Sequence, residues 1–241
     1  MNTKFPLITA HSGFMGTPAN TIISVLEGVK SEAEFIEVDV RATKDGIAVL
    51  AHDNVLKLPL GRSARVEDIS YEEINALRKN GEKMTKLEEA LDLAKSYNKM
   101  MNLDLKLLEG SEAMINAIKR VNMVDSVLIS GCDYKKACHM SKNYPGFQVL
   151  LNAEEYADED IFAINSCRDA VNASCCGINI NHRTCSIKLL EYARLRCLPV
   201  FIWTVDRDED MKRYIEMGVD SITTNNVKAL CELKSNVIKD S

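Results

Sequence analysis

The sequence lacks the features that would assign it to several common protein classes. It has no excess of basic residues, because 30 Lys and Arg against 35 Asp and Glu give a formal net charge of −5. This mild acidity, without a basic cluster, argues against nucleic acid as a partner. Apolar residues make up 46% of the chain and charged residues 27%, as in an ordinary globular protein, which argues against disorder, collagen and coiled coil.

The sequence also lacks a membrane-spanning segment. Residues 5–26 contain no Asp, Glu, Lys or Arg, but they include His11, Asn20, two prolines and two glycines, so they do not form a spanning helix. Only six mostly apolar residues separate Lys4 from His11, too few for a signal peptide. We therefore expect a cytoplasmic protein without an integral membrane segment, and its oligomeric state stays open.

Two sequence motifs of other site classes are missing. The chain has eight cysteines but no C-x-x-C, and the adjacent Cys175 and Cys176 do not have the spacing of a zinc site. Because no export signal is present, we expect reduced thiols that pack as small apolar residues. There is also no G-x-G-x-x-G fingerprint for a dinucleotide.

Short apolar segments alternate with helical patterns along the chain. The segments predict eight strands, at residues 7–11, 35–40, 101–106, 126–130, 147–151, 176–180, 199–204 and 219–223. Some of the predicted helices lie near residues 111–121, 133–143, 155–165, 184–197 and 226–238. This alternation predicts one α/β domain over residues 1–241, a (β/α)8 TIM barrel. An open doubly wound sheet is the alternative, but it usually carries the missing glycine fingerprint.

Helix starts are indicated by local capping patterns. Capping boxes are predicted at Ser70 with Glu73, at Thr85 with Glu88 and at Asp206 with Glu209. The first helix is predicted to start near Thr17-Pro18, and the helix after Asp206 to end at Gly218.

One segment interrupts the alternation and predicts an extra β-hairpin after strand 2. Residues 47–52 follow that strand after the short segment 42–46, which is too short for a parallel crossover. A two-residue type I′ turn at Asp45-Gly46 would place His52 opposite Asp39. Side chains alternate along a strand, so Glu37, Asp39 and His52 would then share one face.

Polar side chains occur where several predicted strands end. In barrels of this type the active site lies at the carboxyl ends of the strands. Three carboxylates that meet there require a neutralising charge, and oxygen ligands favour Mg²⁺ or Ca²⁺ over zinc. The side chains at this rim are those of His11, Glu37, Asp39, Asp104, Lys106 and Trp203.

The motifs that contain these residues form an ordered set that resembles the glycerophosphodiester phosphodiesterase family over nearly the whole chain. The E-x-D, KDG and HD block is its specific part. The motifs are His11-Ser-Gly, Pro18-Ala-Asn-Thr21, Glu37-Val-Asp39-Val-Arg, Lys44-Asp-Gly46, His52-Asp53, Asn102-Leu-Asp104-Leu-Lys106, Trp203-Thr-Val-Asp206 and Gly218-Val-Asp-Ser-Ile-Thr-Thr224.

The resemblance implies a (β/α)8 barrel that hydrolyses glycerophosphodiesters to glycerol 3-phosphate and an alcohol. It implies that a small-molecule glycerophosphodiester is the partner and that one divalent cation, Mg²⁺ or Ca²⁺, is the cofactor. The implied roles are acid and base for His11 and His52, metal ligands for Glu37, Asp39 and Asp104, a phosphate contact for Lys106 and a place in the substrate pocket for Trp203.

The chain departs from the family pattern at three positions within these motifs, and also at Leu58-Pro59-Leu60. Ser12 and Ala19 stand where the family usually has Arg and Glu, and Asp104 stands where it usually has Glu. Loss of the arginine removes a guanidinium suited to phosphate. Two alternatives therefore stay open: a catalytically weakened barrel that binds phosphodiesters as a regulatory protein, and a lysophospholipase D-like phosphodiesterase. The shorter Asp104 predicts a water between this carboxylate and the metal, or a looser metal site.

Overall fold

The structure is a computed structural model that describes residues 5–57, 63–78, 83–154 and 158–239. Its strands are β1 (Leu7–Ala10), β2 (Phe35–Ala42), β3 (Ala48–Leu50), β4 (Val55–Lys57), β5 (Ser63–Arg65), β6 (Met100–Leu105), β7 (Val127–Cys132), β8 (Val149–Asn152), β9 (Gly177–Asn181), β10 (Val200–Trp203) and β11 (Ser221–Thr224). Its helices are α1 (Ile22–Lys30), α2 (Tyr71–Leu77), α3 (Leu87–Ser96), α4 (Ser111–Val121), α5 (Tyr134–Asn143), α6 (Glu159–Asn172), α7 (Ile187–Arg194), α8 (Asp208–Met217) and α9 (Val227–Lys239).

Eight parallel strands close into a barrel. They follow one another in the order β1, β11, β10, β9, β8, β7, β6 and β2, and β2 pairs again with β1. Each predicted strand overlaps one of these eight, which confirms the predicted (β/α)8 barrel. The helix expected near 155–165 is α6, and residues 155–157 lie outside the described residues. Within the described ranges, no helix is long and apolar enough to cross a membrane.

The barrel has an apolar floor and a polar upper layer. The floor consists of inward side chains of the strands, with Phe35 and Phe201 in an edge-to-face contact whose ring centroids are 6.3 Å apart. Thr9 and Ser221 pair with these two residues, and their hydroxyls lie 3.1 Å apart. The next inward side chains toward the carboxyl ends of β2 and β6 are the polar Glu37 and Asn102. Outward side chains such as Val38 pack under the helices in the main hydrophobic core. The polar end of the barrel is therefore the end where the strands finish.

The helix starts agree only in part with the predicted capping boxes. Ser70 and Glu73 form the expected box at α2. The other two predictions were wrong: α3 begins after Lys86, one residue later than predicted, and α8 begins after Arg207. The side chain of Asp206 is instead bonded to Asn225, a contact with a distant strand end. The first helix begins after Thr21, whose hydroxyl caps Ser24, and not near Thr17-Pro18.

The hairpin after β2 exists, but the predicted register was wrong by one residue. The turn spans three residues, because Thr43 bonds to Ile47 across it and Gly46 has a left-handed φ of 74°. A three-residue turn with a left-handed glycine at its end pairs the strands one position away from a two-residue turn. The backbone N–H of Ala51, and not of His52, therefore bonds to the carbonyl of Asp39.

His52 is positioned by a buried arginine beneath the hairpin. Arg41 donates from Nε and Nη2 to the carbonyl of His52, at 3.1 and 3.0 Å. Its Nη1 donates to Oε1 of Glu67 at 2.7 Å, so each of the three guanidinium nitrogens makes a hydrogen bond. The Arg41 side chain is 9% exposed, which makes the pair with Glu67 largely desolvated. The hairpin thus depends on a buried ion pair, in which removal of either residue would leave the other as an unpaired buried charge.

We expect Arg41→Ala to lower the free energy of unfolding by about 3 kcal/mol, because it leaves the Glu67 carboxylate buried without its partner. The double variant Arg41→Met with Glu67→Leu should lose clearly less, since no unpaired charge remains. Urea denaturation measures both. Arg120→Ala is the matched control, because its ion pair with Glu88 is 63% exposed on the arginine side and should be worth less than about 1 kcal/mol. Equal losses for Arg41→Ala and Arg120→Ala would contradict the role of the buried pair.

Candidate active site

A cavity of about 350 Å³ opens at the carboxyl ends of the barrel strands. The structure brings all seven side chains singled out from the sequence to its wall: His11, Glu37, Asp39, His52, Asp104, Lys106 and Trp203. Other lining residues are uncharged: Asn102, Ser130, Gly131, Asn152, Asn179, Thr204 and Thr223. The cavity is therefore the place where the predicted charged groups and a set of neutral polar groups meet.

Three carboxylates converge on one side of the cavity. Glu37 and Asp39 lie on β2, and Asp104 lies opposite Asp39 on the neighbouring strand β6. One oxygen from each carboxylate lies within 4.8 Å of the other two. Burial, together with the nearby charge of Asp39, raises the pKa of Glu37 to about 8. Without a bound cation, the Glu37 carboxyl is therefore mostly protonated at neutral pH.

Lys106 is the cation that the chain itself supplies to the cluster. Its Nζ lies 2.5 Å from Oδ1 of Asp39 and 3.1 Å from Oδ2 of Asp104. Burial acts against its charge, but the charges of Asp104 and Asp39 outweigh burial and raise the pKa of Lys106. Even with Glu37 protonated, one lysine faces the carboxylates of both Asp39 and Asp104, so an excess of negative charge remains.

The donor set fits a divalent cation. Its atoms are all carboxylate oxygens, and their spacing allows one ion with oxygen ligands at 2.0–2.6 Å to contact all three. A further neutral oxygen lies nearby, because Asn102 stands opposite Glu37 and its buried Oδ1 has no partner within the described residues. The cluster can therefore hold a metal ion.

Gly131 makes room for the third carboxylate. It lies at an irregularity in the pairing of β7 with β8 and has a left-handed φ of 71°. A Cβ at this position would lie 2.0 Å from Oδ1 of Asp104. Only glycine therefore allows the Asp104 carboxylate to lie in its present place.

The loop after β1 holds the carboxylates of β2 in place. Asn20 donates from Nδ2 to Oδ2 of Asp39 at 2.7 Å and accepts the backbone N–H of Asp39 at 2.9 Å. The backbone N–H of Ser12 donates to Oε2 of Glu37 at 3.0 Å. The hydroxyl of Ser12 accepts the backbone N–H of Asn20 at 2.7 Å, which joins the two ends of the loop. The serine thus has a structural task at the position where the family usually has Arg.

His11 is oriented by a chain of hydrogen bonds. Asn225 donates from its backbone N–H and from Nδ2 to the two carboxylate oxygens of Asp206, at 2.7 and 2.9 Å. The amide oxygen of Asn225 must therefore face Nδ1 of His11, 2.9 Å away. Nδ1 is the donor in this bond, which leaves Nε2 of the neutral ring as an acceptor, 3.9 Å from Oε2 of Glu37.

His52 lies at the mouth of the cavity. Its side chain is 68% exposed, against 37% for His11. Its Nδ1 bonds to Oδ1 of Asp53 at 2.9 Å, and this bond lowers the pKa of Asp53. The second ring nitrogen is therefore the one left for a bound molecule.

The sequence analysis did not identify several polar residues of this site. Asn20 lies inside a quoted motif, and Asn102 is two residues before Asp104 in the same inward register, so alternation along the strand was an available signal. Asn152 and Asn179 end or nearly end their strands, and strand-end position was the signal for them. Asn225 directly follows β11 and carried the same signal.

Comparison with known proteins agrees with this geometry. A glycerophosphodiester phosphodiesterase of Caldanaerobacter subterraneus is 28% identical over 241 residues, which cover 94% of this chain and 97% of the relative. The solved structure of a glycerophosphodiester phosphodiesterase from Parabacteroides distasonis has a TM-score of 0.84 at 21% identity and covers 98% of this chain and 100% of its own. A phosphodiesterase of Oleispira antarctica, solved in complex with the product sn-glycerol-3-phosphate, has a TM-score of 0.77 at 20% identity, covering 95% and 97%.

The two solved structures share the fold of this chain. Sequence identities of 20 and 21% support a conclusion about the fold alone. The assignment to a family comes from the sequence, because the model of the glycerophosphoryl diester phosphodiesterase family matches residues 11–229. This range includes every residue of the cavity described above. The chain therefore belongs to the glycerophosphoryl diester phosphodiesterase family and is a phosphoric diester hydrolase.

Proposed function

We propose that this protein hydrolyses glycerophosphodiesters to glycerol 3-phosphate and an alcohol. The observation that carries the proposal is one cavity in which two histidines, each with Nδ1 bonded to an oxygen, face three carboxylates and a charged lysine. The product bound to the Oleispira antarctica phosphodiesterase supports glycerol 3-phosphate as the product here.

Glu37, Asp39 and Asp104 would hold one divalent cation, Mg²⁺ or Ca²⁺. When bound, such an ion supplies a positive charge that stabilises the negative charge developing on a phosphate oxygen. The burial of Glu37 and the excess of negative charge in the cluster support this assignment.

The side chains of the protein account for the remaining requirements. Lys106 offers its ammonium group to a phosphate oxygen beside the acidic cluster. Nε2 of His11, the acceptor in the tautomer that Asn225 holds, accepts a proton from the water molecule that attacks the phosphorus. His52 donates a proton to the leaving alcohol, and the bond from its Nδ1 to Oδ1 of Asp53 orients the ring. Trp203, which is 36% exposed, lines the wall beside the substrate.

A second candidate function follows from the position of Ser12. The residues described along the cavity wall include no arginine, so Lys106 and the histidines are the cationic groups available to a phosphodiester. A barrel with weakened turnover that binds phosphodiesters as a regulatory protein is consistent with this wall. A lysophospholipase D-like activity is the further alternative, and the substrate series below tests it.

Release of glycerol 3-phosphate from glycerophosphodiesters in the presence of Mg²⁺ or Ca²⁺ tests the function. We expect activity that disappears in chelator, and we expect His11→Ala and His52→Ala each to lower kcat by at least about 10²-fold, because each removes a proton transfer. His139→Ala on α5 is the control and should keep full activity. Binding of a glycerophosphodiester without release would favour the regulatory protein, and wild-type kcat in His52→Ala would refute its catalytic role.

Divalent metal binding is tested by calorimetry with Ca²⁺ and Mg²⁺. We expect binding that is lost in Glu37→Ala and Asp39→Ala but only weakened in Asp104→Ala, because the shorter Asp104 reaches the ion less closely. Glu191→Ala, an exposed residue of α7, is the control and should bind as the wild type does. Absence of binding at millimolar metal, even with glycerol 3-phosphate present, would show that the cluster is not a metal site.

The orientation of His11 is tested by Asn225→Ala. We expect kcat to fall about 10- to 100-fold with little change in KM, because the ring loses the partner that holds its tautomer. The ¹⁵N chemical shifts of the His11 ring should show a loss of the Nδ1-protonated form. Asn236→Ala on α9 serves as the control. An unchanged tautomer in Asn225→Ala would contradict the role of this amide.

A further inference from the structure

We propose that Asn152 and Asn179 form a subsite for the two free hydroxyls of the substrate's glycerol group. The subsite would select deacylated glycerophosphodiesters over lysophospholipids. This inference rests on the proposed function and adds to it the residues that distinguish between two substrate classes.

The hydrogen bonds of the two asparagines determine which atoms are left for a ligand. The backbone N–H of Gly131 donates to Oδ1 of Asn152 at 2.9 Å, and Nδ2 of Asn179 donates to the same oxygen at 3.1 Å. A backbone N–H can only donate, so the Asn152 atom in this bond is its oxygen. Nδ2 of Asn152 and Oδ1 of Asn179 then remain without a protein partner in the described part of the chain.

These two atoms form a matched donor and acceptor. Asn152 and Asn179 face each other on the neighbouring strands β8 and β9, and both line the cavity. Neither Nδ2 of Asn152 nor Oδ1 of Asn179 is among the buried side-chain atoms without a partner in the described ranges. One hydroxyl of a vicinal diol can accept from Asn152 while the other donates to Asn179.

The position of the pair indicates which end of the substrate it binds. Gly131 connects the two halves of the cavity, because its N–H holds Asn152 and its missing side chain makes room for Asp104. A phosphate group beside Lys106 and Asp104 is therefore next to the amide pair. His52 is strongly exposed, so the alcohol that it protonates would leave toward solvent. The glycerol group, which stays on the phosphate, would then lie on the side of the amides.

The cavity wall that includes the two amides is buried and polar, which fits glycerol and does not fit an acyl chain. Asn179 is 5% exposed, and the neighbouring lining residues Ser130 and Thr223 are also buried and uncharged. A 1-acyl lysophospholipid lacks one of the two hydroxyls and would leave one amide group unpaired in this buried place. Sites built to bond a hydroxyl reject analogues that lack it strongly.

The test compares sn-glycero-3-phosphocholine with 1-acyl-lysophosphatidylcholine, which differ only in the acyl group. We expect the wild type to prefer the deacylated substrate in kcat/KM by at least about 10²-fold. Asn179→Leu removes the acceptor, and Asn152→Asp removes the donor while keeping the oxygen that Gly131 requires. Each should lower kcat/KM for glycerophosphocholine about 10- to 100-fold. Asn179→Leu, which adds no charge, should lower kcat/KM for bis(p-nitrophenyl) phosphate, which has no hydroxyl, much less than for glycerophosphocholine. Asn152→Asp adds a negative charge beside the acidic cluster, so we expect it to lower kcat/KM for both substrates.

A binding measurement separates the subsite from the chemistry. Calorimetry in the presence of Ca²⁺ should show that the wild type binds glycerol 3-phosphate more tightly than inorganic phosphate, and that Asn179→Leu loses this difference. Equal turnover of the two choline substrates by the wild type, or equal loss on glycerophosphocholine and bis(p-nitrophenyl) phosphate in Asn179→Leu, would overturn the subsite. Absence of turnover on every phosphodiester, with the preference for glycerol 3-phosphate intact, would instead refute the proposed function.

Discussion

The structure depends above all on the accommodation of three carboxylates at one end of a barrel. Glu37, Asp39 and Asp104 are brought together by the parallel pairing of β2 with β6. Their mutual repulsion and the burial of Glu37 would disfavour this arrangement if nothing compensated. Lys106 compensates in part, and the remaining negative charge is what suits the cluster to a cation. The cluster thus destabilises the fold when no cation is bound, and the same negative charge favours binding of a cation.

The neighbouring polar groups hold the carboxylates from several sides. Asn20 and Ser12 supply donors from the loop after β1, while Gly131 supplies space from β7. These residues have no charge, so they orient the carboxylates without changing the net charge of the cluster. The same division appears across the cavity, where ionisable groups lie on one part of the wall and the amides of Asn152 and Asn179 on another. This asymmetry supports the direction that we propose for a bound phosphodiester.

The two histidines are supported in different ways. His11 is linked through the neutral amide of Asn225 to Asp206, whereas His52 contacts the carboxylate of Asp53 directly. A neutral partner holds a tautomer, and a charged partner also stabilises a protonated ring. The buried Arg41 then fixes the backbone of His52 at the mouth of the cavity. The different partners of the two rings support the acid and base roles that we propose for them.

The sequence by itself determined the alternation of strands and helices and the strand ends that carry His11, Glu37, Asp39, Asp104 and Lys106. These features depend on neighbours along the chain, through the two-residue period of a strand and the chemistry of short motifs. Even there, a one-residue difference in turn length at Gly46 changed the register of the hairpin, because turn type depends on the backbone conformation of a few residues.

Only the tertiary structure decided how the site is completed. The bond between His11 and Asn225 joins residues 214 positions apart, and it exists because β1 and β11 close the barrel. The orientations of the Asn152 and Asn179 amides depend likewise on contacts across three strands. An amide looks the same in the sequence whichever way it faces, and only its partners in space determine which of its atoms a ligand meets.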